Sequence, residues 1–201
     1  MANEVTVANK ALSYLGADPI TSLEDNNTTA ELIKTNYDTI RDAVLEERNW
    51  TFATKRHAST TSDEPEFGMG FRHPVPEEYL KVTRLYREVN SYDPNQWRPS
   101  VGWRREGQFI IARESTVYMW GIERITNTNR FSAMFIECLA TRIAAEIAIA
   151  VTENHTLMGH MWKLYAGKLT EAAAGDGSQG GSDVIQSNTL IDARAGRGGF
   201  L

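Results

Sequence analysis

Residues 131–151 read FSAMFIECLATRIAAEIAIAV. Phe135, Leu139, Ile143 and Ile147 fall in one i,i+4 row, with Met134, Cys138, Ala145 and Ile149 close beside it. So wide an apolar arc on a helix needs cover from several sides, and the stretch predicts a central helix with other elements packed around it.

Working outward, a turn at 153–155 leads into a second periodic run over 156–174, with Leu157, Met161, Leu164 and Leu169 inward, so the two predict an antiparallel helical hairpin. Near the N-terminus Val5, Ala8, Leu12 and Leu15 recur at helical spacing until Gly16 and Pro19 stop them. A further helix is expected from about residue 27 to about 48, with Thr28 and Glu31 at capping-box spacing and Ile33, Tyr37, Ile40 and Val44 on one stripe.

Between these helical runs the period changes. Residues 49–56 read as a turn and an edge segment with Trp50 and Phe52 on one face, and 57–70, rich in Ser, Thr, Asp and Gly, reads as a loop. Pro74 and Pro76 exclude a helix interior, and 79–89, 103–113 and 116–125 read as strands, with Glu106-Gly107 as a hairpin turn. The segment 92–102 is a loop carrying Pro94, Trp97 and Pro99. The expected fold is α+β: a mainly α-helical bundle of about four helices from 1–49 and 126–174, an inserted small antiparallel β domain or barrel from 50–125, and a Gly-rich linker with an extended C-terminal tail from 175–201.

Composition narrows the function. With 201 residues, 41% hydrophobic side chains and a net charge of -5, the chain can bury a sizeable core and is a poor generic nucleic-acid binder. No run approaches the roughly 18–20 apolar residues of a membrane span. The first eight residues lack a signal-peptide pattern, so synthesis into a cytoplasm is expected and the sequons at Asn26, Asn27, Asn49 and Asn154 carry no glycosylation meaning. The lone Cys138 excludes an intramolecular disulfide scaffold. Residues 1–70 hold 6 basic and 12 acidic side chains against 10 and 7 over 71–130, so the folded surface is expected to have faces of opposite sign.

Each sequence constellation with chemical potential lacks a requirement of its chemistry. Gly175, Gly177 and Gly180 match a dinucleotide fingerprint but follow an Ala-rich helix instead of a strand. His155 and His160, five apart on a helix, do not share a ligand face. His57 and His73 are assigned to loops, where a triad with Ser59 or Asp63 rests on closeness in sequence alone. The acid pairs Glu46-Glu47, Glu64/Glu66 and Glu77-Glu78 read as solvated faces before they read as a glycosidase acid and base. Arg98, Arg104, Arg105 and Arg113, interleaved with Trp97, Trp103 and Phe109, have the composition of a single-strand nucleic-acid platform, although alternating strand faces explain them without a ligand.

The order of Ala8-Asn-Lys-Ala-Leu-Ser-Tyr-Leu-Gly16, Ile20-Thr-Ser-Leu23, the stretch 37–45 with Arg41-Asp42, and Asn49-Trp-Thr-Phe-Ala53 resembles the N-terminal half of the tail tubular protein A family. These are the head-to-tail adaptors of short-tailed bacteriophages. Val75-Pro-Glu-Glu-Tyr-Leu80, the stretch 103–107, and 135–150 followed by Val151-Thr152 extend the resemblance over residues 4–175. It implies a structural virion protein, not an enzyme; because each constellation above lacks a requirement of its chemistry, no catalytic residue, metal or cofactor is expected. It further implies a homo-oligomeric, dodecameric ring under the portal protein in the neck region of the tail, assembled in the host cytoplasm without a membrane. The nozzle, tail tubular protein B, lies below, and tail fibres are a further candidate partner. The ring prolongs the DNA ejection channel, and double-stranded DNA passes without specific binding, for which an acidic or neutral channel surface is expected.

The C-terminal arm is the expected partner-binding segment. The linker 175–182 holds four Gly, while the arm beyond it carries Val184, Ile185, Leu190, Ile191, Phe200 and Leu201, with Arg194 and Arg197 for an acidic surface on the portal or a neighbouring subunit. Two other function classes stay open: a tail-associated polysaccharide or peptidoglycan hydrolase, and a single-strand nucleic-acid binding module.

Overall fold

The computed structural model describes residues 3–68, 70–89 and 97–177. Among them the chain forms helices α1 (Glu4–Leu15), α2 (Thr28–Glu47), α3 (Ala133–Thr152) and α4 (His155–Gly177). Its strands are β1 (Thr54–Thr60), β2 (Phe71–Pro74), β3 (Tyr79–Glu88), β4 (Arg98–Pro99), β5 (Arg104–Glu106), β6 (Phe109–Ala112) and β7 (Thr116–Glu123). No described helix is long and apolar enough to cross a membrane.

Local chemistry sets the helix ends. Asn3 caps α1 by accepting from the Thr6 N–H at 2.7 Å, and Gly16, at φ 69°, closes it in the left-handed region that glycine enters without steric cost. Asn27, one residue ahead of the expected Thr28, caps α2 through the Ala30 N–H at 2.8 Å. Ser132 caps α3. Helix α3 buries Phe135, Leu139, Ile143 and Ile147 in the row read from sequence, and α1, α2 and α4 each pack against it. Trp50 is wholly buried beside them, its indole N–H donating to Val44 O at 2.9 Å and its ring meeting Phe135 edge-on at 5.1 Å. It is therefore a core residue, and the segment expected as an edge opens with a 3-10 turn at Thr51–Ala53.

The strands form two antiparallel sheets, ordered β1-β7-β3-β4 and β2-β6-β5. They pack over a core of their own, built by Val75, Tyr79, Leu85, Ile110, Ala112, Val117 and Met119. Strand β7 serves both cores, because Val117 and Met119 face the second sheet while Ile122, on the opposite face, joins the helical core together with Ile125. Gly121 lies against the Tyr79 ring, and a Cβ there would press on that ring and come within 2.5 Å of Lys81 O.

This architecture corrects the expected fold class. The helices are not a bundle carrying a small β insertion: seven strands in two sheets have a separate hydrophobic core, and α1, α2 and α4 converge on α3. The expectation failed at 57–60, read as loop, which belongs to strand β1, while 71–74, for which only a helix interior was excluded, is strand β2. Ser and Thr suit an exposed edge strand as well as a loop, and only pairing with β7 distinguishes the two. The connection 113–115 joins two different sheets and closes no hairpin, whereas Gly107 does turn β5 into β6 with φ 59°.

Helix α4 continues to Gly177, past the expected end at 174. The reason is Asp176, whose buried carboxylate accepts from the Thr51 N–H at 2.8 Å and hydroxyl at 2.7 Å.

Candidate functional site

The face of the four-stranded sheet that carries Ile122 is covered by helices at one end and open at the other. On the open end, strand register sets Arg56 and Arg84 on either side of Trp120, and Ala58 and Tyr86 on either side of Tyr118. Trp97, just before β4, lies over this row. Its ring meets Tyr86 edge-on at 5.3 Å and lies 6.0 Å from Trp120. The Arg56 guanidinium sits between the two indoles, 4.4 Å from the Trp120 centroid and 4.9 Å from Trp97. Arg84 is 5.8 Å from Trp120.

Each cation–π stack contributes about 0.5–1 kcal/mol at an exposed site, more when water is excluded. Among the described residues no carboxylate lies within ion-pair distance of Arg56. The side chains surround a hollow of about 330 Å³ with mainly apolar walls, including Val89, Tyr118 and Trp120. Such a hollow accepts a planar or apolar group, and its arginine edge favours an adjacent anion. Trp, Tyr and Arg are also the residue types that dominate binding hot spots.

A second, wider groove of about 810 Å³ lies beside the connection from β1 to β2 and is lined by Glu64, Phe71, Arg104, Ile111, Ala112 and Arg113 among others. Two large apolar side chains next to its lining residues are open to solvent, Phe67 at 83% and Val101 at 76% exposure. The loop bearing Phe67 has a fixed base: Thr61 N–H donates to Ser115 O at 2.9 Å, and Arg72 N–H to Asp63 O at 2.8 Å.

The arginine and aromatic constellation read from sequence is dispersed. Arg98 pairs with Glu88 at 3.2 Å and Arg104 with Glu106 at 2.6 Å, while Arg105 donates to Leu80 O at 2.9 Å and Gly107 O at 3.1 Å. Trp103 packs against the core between the sheets, and Phe109 lies under the Arg72 guanidinium at 4.1 Å. Trp97 alone of that set reaches the open face, and its partners Arg56, Tyr86 and Trp120 were missed. A period-two signal for them exists in Arg56/Ala58, Arg84/Tyr86 and Tyr118/Trp120, large aromatics sharing strand faces with arginine.

The structure does bring Ser59 and His73 together, on strands β1 and β2 and not on loops. His73 Nδ1 is 3.2 Å from Ser59 Oγ, and Nε2 is 2.8 Å from Glu114 O. A carbonyl partner requires the proton on Nε2, so in the neutral ring Nδ1 accepts from the serine hydroxyl. Both side chains are buried, and the pair is a satisfied polar tie between the two sheets. Asp63 instead lies 3.9 Å from Arg72.

Other candidates occupy separate places. His155 and His160 are exposed on α4, and among the described residues no three His, Cys, Asp or Glu side chains gather as a metal site. Gly175 and Gly177 belong to α4, while Gly180 lies outside the described residues. Glu47 bonds the Tyr165 hydroxyl, and Glu78 pairs with Lys55 at 3.4 Å. Burial raises the Cys138 thiol to about 11, which keeps it protonated and inert. Val184, Ile185, Leu190, Ile191, Arg194, Arg197, Phe200 and Leu201 all lie outside the described residues. Compared with known proteins, the chain matches no family model and no curated protein sequence.

Proposed function

We propose that this chain is a structural assembly protein, the head-to-tail adaptor that its resemblance to the tail tubular protein A family implies. In this reading, copies form a ring that joins the portal to the tail nozzle in the virion and prolongs the DNA ejection channel. The observation that carries it is the open aromatic face, where Arg56, Tyr86 and Trp120 present hot-spot side chains on paired strands and Trp97 stacks over them. A rigid platform loses little entropy on association. Supporting it, Arg98, Arg104 and Arg105 are engaged by acids or carbonyls, which leaves them poorly suited to line a DNA-gripping groove. Negative-stain imaging of the purified protein, alone and with a portal, tests the reading: rings or portal-bound particles are expected, and dispersed monomers that ignore the portal overturn it.

One observation favours a second reading. Arg56 between two indoles is also how a single-strand nucleic-acid platform is built, since bases stack on aromatics and arginine planes. Titration with an oligonucleotide at several salt concentrations separates the two, because phosphate binding weakens steeply with salt.

A further inference from the structure

The β1–β2 loop and the open sheet face carry complementary chemistry. We propose that the exposed Phe67 of one copy of this chain seats in the Arg56, Tyr86, Trp97 and Trp120 hollow of a second copy, with Glu64 and Glu66 against Arg56 and Arg84. The proposal deepens the assembly reading and rests on it.

Three observations converge. Phe67 is the most exposed large apolar side chain among the described residues, and it is presented by a loop tied at its base to Ser115 and Arg72. The hollow of about 330 Å³ is large enough for a benzyl ring, and its indole walls offer the edge-on and offset geometries that aromatic pairs prefer. The charges also match: Glu64 and Glu66 shortly precede Phe67 in sequence and have no ion-pair partner among the described residues, while the hollow is edged by arginine. An acid within reach of a cation already stacked on tryptophan completes it without unstacking it.

Within one protomer Phe67 points to solvent, so it does not fill the hollow of its own copy. Knob and hollow are different patches of one surface. Their contact closes a two-fold dimer if each copy's knob enters the other's hollow, and if it runs head to tail, repetition closes a ring or extends a filament according to the rotation between copies.

Sedimentation velocity of the full chain over a concentration series tests this, with Phe67→Ser, Arg56→Glu, Glu66→Arg and the Arg56→Glu/Glu66→Arg double variant. Phe67 lies outside both cores, so Phe67→Ser keeps the wild-type melt. It should weaken self-association by at least about thirtyfold, the effect of losing a hot-spot aromatic. Each charge reversal should also weaken association, and the double variant should restore it. In parallel, a mixture of Ala58→Cys and Phe67→Cys chains under mild oxidation should give a 58–67 disulfide between copies, with buried Cys138 unreacted. If Phe67→Ser associates like wild type and no 58–67 link forms, the knob seats elsewhere: the proposal fails while the assembly reading stands. If the wild-type chain stays monomeric and does not bind a portal, both fail. If an oligonucleotide quenches the tryptophans and Phe67→Ser leaves self-association intact, nucleic acid is the occupant and the proposal is overturned.

Discussion

The carboxylate of Asp176 accepts two hydrogen bonds from Thr51, 125 residues earlier, one from the backbone N–H and one from the hydroxyl. The last turn of α4 is thereby pinned to the point where the chain leaves the helices for the sheets. Asp176→Ala should cost about 2–3 kcal/mol, because hydrogen bonds to a charged group are among the stronger ones and two of them are removed together. Urea denaturation measures it, and truncation after residue 175 should show the same loss. A wild-type midpoint in both variants would show that the tie contributes nothing.

Leu139 and Ile143 are wholly buried on α3, the helix against which the other three pack. Leu139→Asp or Ile143→Asp should cost about 4 kcal/mol or more, since a buried charge without a partner is among the largest single-site penalties. Far-UV circular dichroism melts give the test, with a shift of many degrees expected for either variant.

Gly121→Ala should destabilise by about 1–3 kcal/mol through overpacking against the Tyr79 ring and Lys81 O. Tyr79→Leu in the same chain should recover only part of the loss, because the backbone carbonyl stays in place. A double-mutant cycle by chemical denaturation would reveal this coupling.

Glu137 gives the helical layer an acid dependence. Its carboxyl is held below the ordinary 4.5 chiefly by the Lys10 ammonium, with the Tyr14 hydroxyl, at 2.9 Å, adding to this against the opposing effect of burial. Tyr14 is raised to about 12, first by burial and then by Glu137. Because the folded value lies below the unfolded one, this stabilisation is complete above the ordinary 4.5 and is lost as pH falls through the folded value. The difference in urea midpoint between wild type and Glu137→Gln should thus be constant near neutrality and shrink below about pH 4. A difference that grew on acidification would contradict the sign.

Helix positions were legible because their causes are local. The row Phe135, Leu139, Ile143 and Ile147 is set by the 3.6-residue period, and the stop at Gly16 by its freedom to take positive φ. Strands were legible where β-branched and aromatic residues alternate, as in Tyr79–Glu88, but not in Thr54–Thr60, whose identity depends on pairing with a strand about sixty residues away. Tertiary structure alone decided that Trp97 leaves Trp103 for Trp120, that Ser59 meets His73, and that Trp50 is core. The open face shows the division most clearly. Alternation places Tyr118, Trp120 and Ile122 on one side of β7, and this much follows from the sequence, because successive side chains of a strand must point to opposite faces. That Ile122 is sealed under helices while Trp120 is left half-exposed depends on where a helical layer ends, which is a property of packing between distant segments and is written at neither residue.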